Sequence, residues 1–406
     1  MSSTGQVIRR RVLLATVVAS ALFAFYLPSS VGGVISRPLS VLSIAGTCGF
    51  LATLLAVSGR TAPLANVVVA LGIMVFMGLF TITSPFEEYS PGVILLYLAL
   101  TLLFMLDLRS LASRRVDQAF QVVTIVSLVL GYALALDVGV VDQLMVRWYG
   151  AFYKELVSNM VGLFDKPVLT FATHSMAGFM IYLLFYMQLR GWQLRGQQWR
   201  LGAALGFLGL LLLLKSTTGL AYAVVAGAQL ALIGYRRYLR GQPVVVVGLL
   251  LAVLAGVVAG GFDFAAQYDR VEDAVVGDRI RGLWARYAGD GLLAGNFAYL
   301  SSSPLSPIGA GATDTLYLGD SGFIVNLLRG SVLLLVAVYG GLWLFFVTNL
   351  VDRPSATWVW VCTLLFEIGF TPLQYFRFLA FVPFLVVYLN SLEPSLRQPA
   401  SLALDH

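Results

Sequence analysis

Arg270, Arg279, Arg281 and Arg286 are interleaved with Asp269, Asp273, Asp278 and Asp290, and Trp284, Tyr287, Phe297 and Tyr317 stand among or shortly after them. A planar guanidinium holds a phosphate or diphosphate through two parallel hydrogen bonds. Aromatic faces suit sugar rings and cations. Helical spacing over residues 278–288 would put Ile280, Leu283, Trp284 and Tyr287 on one apolar stripe, with Arg279 and Arg286 along one edge and Arg281 along the other. Gly277 precedes this stretch, Asp278 can cap it and Gly289 can end it. Such a helix suits a membrane interface, its guanidinium groups at phosphate depth. The plainer alternative is that these arginines snorkel to bulk lipid phosphates.

Three further groups could take part. Lys215-Ser216-Thr217-Thr218-Gly219 places a lysine in a hydroxyl-rich break between apolar runs, which reads either as an anion site or as a snorkelling helix end. Arg147, Trp148, Tyr149, Tyr153 and Lys154 mix cations with aromatics ahead of His174, the only histidine besides His406. His174 titrates nearest neutrality among unperturbed side chains; a hydrogen-bonded structural role is its bland alternative. Finally, Asp320 and Ser321 precede an apolar run that holds Asn326 and Arg329 on a shared face. An intramembrane arginine needs a partner, and Glu367 is the candidate.

The elements that must position these residues follow from composition. Of 406 residues, 59% are hydrophobic and only 11% charged, which points to a polytopic membrane protein rather than a soluble one. Apolar runs, most of about 16 to 25 residues, match helices that cross a hydrocarbon core. They fall at 12–27, 39–57, 64–83, 92–106, 119–136, 171–189, 201–214, from 220 onward, 244–261, 323–347, 358–370 and 378–389. The expected fold is therefore all-α, about twelve transmembrane helices in a single integral membrane domain over 1–406, with large outer loops at 137–170 and 262–322. Arg109, Arg114 and Arg115, then Arg190, Arg195 and Arg200, then Arg236, Arg237 and Arg240 fall on the side of the amino terminus. The positive-inside rule makes that side cytoplasmic, with both termini there. Cys48 and Cys362 lie singly in apolar runs and read as packing residues. The chain has no glycine-rich phosphate loop, no Cys/His metal cluster and no sign of a nucleic-acid partner, so neither metal nor cofactor is expected.

The run GLFDKPVLTFATHSMAGF, the KSTTG break and the stretch from Arg279 through GAGATDTLYLGDSGF resemble the O-antigen and exopolysaccharide polymerases and the related O-antigen ligases. The resemblance covers the second half in motif and the whole chain in topology. It implies a GT-C-like, metal-independent glycosyltransferase of the bacterial inner membrane. Such an enzyme moves a glycan from undecaprenyl diphosphate to a second lipid-linked repeat unit on the periplasmic face. It would have membrane lipids around it, and whether a chain-length regulator binds is open. Carried onto this chain, the resemblance makes Asp320 or His174 the base for the acceptor hydroxyl and Arg279 and Arg286 the clamp on the leaving diphosphate. Lys215, Arg281, Arg270, Arg147, Lys154, Trp284 and Tyr317 would line the substrate. Ligases carry His-Asn where this chain has Asp320-Ser321, which favours a polymerase. Lys215 stands where the family often has arginine, which keeps the charge but loses the two-pronged fork. A ligase acting on lipid A core, a lipid-linked oligosaccharide flippase, and a transferase using monophosphoryl prenyl sugars are the alternatives. The first outer loop has no acidic residue to suit the last of these.

Overall fold

The computed structural model of the protein describes residues 3–26, 36–59, 62–83, 91–141, 143–144, 169–171, 174–214, 216–238, 322–367, 373 and 375–393. Among the described residues the chain is all-α, without a strand. Its helices are α1 (Ser3–Tyr26), α2 (Ser36–Ser58), α3 (Leu64–Thr83), α4 (Pro91–Phe104), α5 (Arg114–Ala135), α6 (His174–Arg195), α7 (Gln198–Leu213), α8 (Thr217–Tyr238), α9 (Gly322–Asn349), α10 (Arg353–Glu367) and α11 (Phe376–Leu392). They fall on the expected apolar runs, except that the run at 244–261 lies outside the described residues. Among the described residues, two helical stretches, Arg114–Ala135 and Val332–Asn349, are long and apolar enough to cross a membrane.

Helix ends follow local chemistry. Ser113 accepts the Arg115 N–H at 3.2 Å and starts α5 five residues earlier than the apolar pattern alone suggests. Asp352 does the same for α10, accepting the Ser355 N–H at 3.2 Å with Pro354 in the first turn. Asp137, at φ 53°, closes α5: the Val138 N–H reaches the Ala133 carbonyl at 3.0 Å, the left-handed ending that short polar side chains tolerate.

The helices form two compact units. In the first, α1, α2 from Ser40, α3, α4, the opening of α5, α9, α10 and α11 pack together, with α11 against α1 and α4, and α9 against α3, α4 and α10. From Arg377 to Leu392 every residue of α11 is buried. A helix apolar all round has no outward face to offer and becomes the centre of its bundle. In the second unit, α5 from Phe120 joins α6, α7 and α8. There α6 is the sheathed helix, buried continuously from Met176 to Leu189.

One end of the first unit is tied by side-chain amides and arginines. The Leu108 N–H donates to Asn349 at 2.6 Å, the Val351 N–H to Asn390 at 3.1 Å, and the Ser113 N–H to Ser391 at 2.9 Å. Arg9 donates to the Val57 carbonyl and Arg10 to the Ala112 carbonyl. At the far side, α11 begins level with the middle of α2, since Thr47 donates to the Phe376 carbonyl at 3.2 Å. From that level α2 continues to Ser36, about 16 Å at 1.5 Å per residue.

A second departure from simple up-and-down helices lies in α9. Asn326 donates to the Tyr339 hydroxyl at 3.2 Å, and the Phe323 and Tyr339 ring centroids are 4.8 Å apart. A straight helix would separate these backbone positions by about 20 and 24 Å, beyond the reach of the side chains. The first turns of α9 therefore fold back between Asn326 and Tyr339. That interval contains Gly330-Ser331, a pairing at which helices kink readily.

Candidate functional site

The second unit brings together two features that the sequence presents separately. His174 is the first residue of α6 and is half-buried. Its neighbour Ser175 lies 3.4 Å, hydroxyl to hydroxyl, from Thr218 in the first turn of α8. The KSTTG break is the turn between α7 and α8, and its residues have distinct tasks. Ser216 Oγ accepts the Gly219 N–H at 3.0 Å, and the Ser216 carbonyl accepts the Leu220 N–H at 2.9 Å, so Ser216 caps α8. Gly219 is needed for space: a Cβ there would sit 2.7 Å from the Leu211 carbonyl oxygen and 2.9 Å from Leu214 Cβ. On the facing helix, a Cβ on Gly178 would stand 3.7 Å from both the Gly219 nitrogen and Thr218 Cγ2, which measures how closely α6 and α8 approach.

The amino-terminal ends of α6 and α8 consequently lie side by side. Aligned peptide dipoles give such ends a positive character that favours anions. Two turns below, Tyr182 donates to Gln229 at 3.0 Å and packs on Tyr222 with centroids 4.9 Å apart, fixing α6 against α8. Near the other end of α6, Gln188 donates to Thr124 of α5 at 2.6 Å.

The first unit holds a buried polar chain that the sequence reveals only in part. Tyr97 of α4 donates to Asn326 Oδ1 at 2.8 Å, and Tyr339 donates to Glu367 Oε2 at 2.7 Å. Glu367 Oε1 accepts the Leu373 N–H at 2.9 Å, and Trp360 donates to the Tyr339 carbonyl at 3.0 Å. Glu367 is fully buried. Its expected partner was Arg329; the side chain of Arg329 lies outside the described residues, while Tyr339 and the Leu373 amide hold the carboxylate. Arg377, 1% exposed, donates from Nε to the Ala24 carbonyl at 2.6 Å and from Nη2 to the Phe25 carbonyl at 2.8 Å.

Of the sequence-predicted site residues, His174 alone is described, and its neighbour Ser175 meets Thr218 of the KSTTG turn. Lys215, Arg147, Lys154, Arg270, Arg279, Arg281, Trp284, Arg286, Tyr317 and Asp320 lie outside the described residues. Tyr97, Tyr339 and Arg377 were missed, although a signal existed. A tyrosine inside an apolar run needs a partner for its hydroxyl, and an arginine opening a wholly apolar helix needs acceptors. No family model matches the chain, and no curated protein or solved structure is detectably similar to it.

Proposed function

We propose that the chain is a polytopic inner-membrane glycosyltransferase, a polysaccharide polymerase that moves a glycan from a prenyl diphosphate to a lipid-linked repeat unit at the outer face. Membrane embedding is supported by which surfaces are apolar. Leu64, Val68, Leu71 and Val75 form an exposed stripe on α3, and Val122, Ile125, Val126 and Val129 form another on α5, with Val129 66% exposed. Asn66, Thr101, Gln188, Glu367, Arg377 and Asn390 are buried meanwhile. Each of these buried groups makes at least one hydrogen bond, and apolar stripes outside with hydrogen-bonded polar groups inside suit a lipid solvent.

The observation that carries the reading is the meeting of Ser175, the residue after His174, with Thr218 of the KSTTG turn at two adjacent helix amino termini. A lipid-linked diphosphate is an anion whose charge grows as the glycosidic bond breaks, and fixed positive ends and cations stabilise that growth. Lys215 belongs to this turn by sequence, and the arginines of the 262–322 interval would complete the clamp. His174 or Asp320 would take the proton of the acceptor hydroxyl.

A second reading, a lipid-linked oligosaccharide flippase, draws support from Glu367: a buried carboxylate at an interrupted helix pair is a common arrangement in transporters. Deleting the gene and analysing the lipid-linked intermediates tests both. Single repeat units exposed at the outer face are expected. Repeat units retained at the inner face would support the flippase, and full-length glycan left on its prenyl carrier would support a ligase.

A further inference from the structure

We infer that Glu367 is a positioning residue: with Tyr339 and Asn326 it latches the folded-back start of α9, and so fixes where that helix begins within the first unit. The role in turnover rests on the reading that the 262–322 interval carries donor-binding groups, whereas the latch itself stands on geometry.

Three observations converge on it. The fold-back carries Phe323 and Asn326 to Tyr339, where one ring contact and one hydrogen bond hold them. Gly322 lies so close to Glu367 that a Cβ would collide with the carboxylate and stand 3.2 Å from the Tyr339 hydroxyl. The carboxylate is itself immobilised, Oε2 by Tyr339 and Oε1 by the Leu373 amide beyond the end of α10. It therefore spans three parts of the fold: the start of α9, the returning limb of α9, and Leu373 ahead of α11. A carboxylate at the amino terminus of α9 also faces the positive end of that helix.

An apolar side chain of similar volume would fill this place without the desolvation that a buried charge requires. What the carboxylate adds is direction, because it accepts from two donors at defined angles and leaves Gly322 one resting place. Ile or Leu would pack but would not select the folded-back arrangement over an extended α9.

The test uses the full-length protein in vesicles, with the photoreactive amino acid benzoylphenylalanine replacing Phe323 and crosslinks mapped by mass spectrometry. Crosslinks to the peptide around Tyr339 are expected, since an extended helix would hold the two positions about 24 Å apart. Glu367→Ala should reduce that crosslink at least fivefold, and Tyr339→Phe, which removes only a hydroxyl, should reduce it at least twofold. Glu367→Gln, which keeps an acceptor for the Leu373 N–H, should retain more of it than Glu367→Ala. Parallel turnover of lipid-linked repeats should show kcat lowered tenfold or more in Glu367→Ala, with partial rescue in Glu367→Gln. A crosslink that survives Glu367→Ala and Tyr339→Phe unchanged overturns the latch. A lost crosslink with wild-type kcat overturns the positioning role and leaves the functional reading intact. With no turnover by the wild-type protein the functional reading and the positioning role fail together, while the crosslink still decides the latch.

Discussion

Arg377 ends α1: its Nε donates to the Ala24 carbonyl at 2.6 Å and its Nη2 to the Phe25 carbonyl at 2.8 Å. The last carbonyls of a helix have no partner of their own, and a cation is the favoured donor for them. Arg377→Ala leaves both carbonyls buried without these donors. The expected loss is on the order of 2 to 3 kcal/mol, since each unmet group costs about 1 kcal/mol or more and part is returned by removing a buried charge. Arg377→Lys should lose less, because one ammonium can serve one carbonyl. Thermal unfolding in detergent, followed by tryptophan fluorescence, checks the order wild type, Lys, Ala.

Gly219→Ala sets two effects of opposite sign against each other. In a helix interior alanine is favoured over glycine by about 1 kcal/mol. Here the added Cβ would lie 2.7 Å from the Leu211 carbonyl oxygen, a backbone atom that cannot step aside cheaply. Overpacking of this kind costs about 1 to 3 kcal/mol, so a lowered melting temperature is expected. A raised one would mean that the α7–α8 turn has room that the geometry denies.

The arrangement of helix ends predicts a sidedness. Single cysteines at Ser158 and Ser302, in a background with Cys48 and Cys362 replaced, should react with a membrane-impermeant maleimide added outside the cell. A cysteine at the exposed Gln198, beside the basic turn after α6, should not. Labelling of Gln198→Cys in preference to the other two reverses the orientation.

Under the proposed chemistry the interval arginines are unequal. Arg279→Ala and Arg286→Ala should each lower polymer synthesis by about a hundredfold, the scale of losing one donor to a developing anion. Arg281→Ala, on the other edge of the same stripe, should retain most activity at equal protein level. Lysine at 279 or 286 should restore only part, lacking the fork. Equal and mild losses at all three would return them to lipid anchoring and leave Lys215 as the candidate cation.

The sequence disclosed the helices and hid how they bend. Apolar runs mark segments such as α3 and α11 because composition alone decides them, and Ser113 and Asp352 announce starts that the hydropathy pattern misses by several residues. The fold-back of α9 is marked only by Gly330-Ser331 within a mainly apolar run, and that pairing does not say that Phe323 lies on Tyr339 instead of about 24 Å away. At the candidate site, His174 and the KSTTG break were each legible as chemistry-bearing types. The meeting of Ser175 with Thr218 was not, because it depends on Gly178 and Gly219 letting two helices approach. A glycine in an apolar run can as easily mark a helix end, a kink or a close packing contact, and its letter alone does not say which.

The central place of α11 has a consequence for biogenesis. Arg377 serves a carbonyl 353 residues earlier in the chain, and α11, the buried axis of the first unit, is synthesised after every helix of the second. While translation continues, α1 to α4 therefore stand without the helix they are to surround, whereas α6, α7 and α8 emerge consecutively and can pack as they appear. Contacts so distant in sequence form late and expose their partners in the interval. A ribosome that stalls, or a message that ends, before Phe376 would release a product whose second unit is assembled and whose first is hollow, the kind of intermediate that quality-control proteases remove.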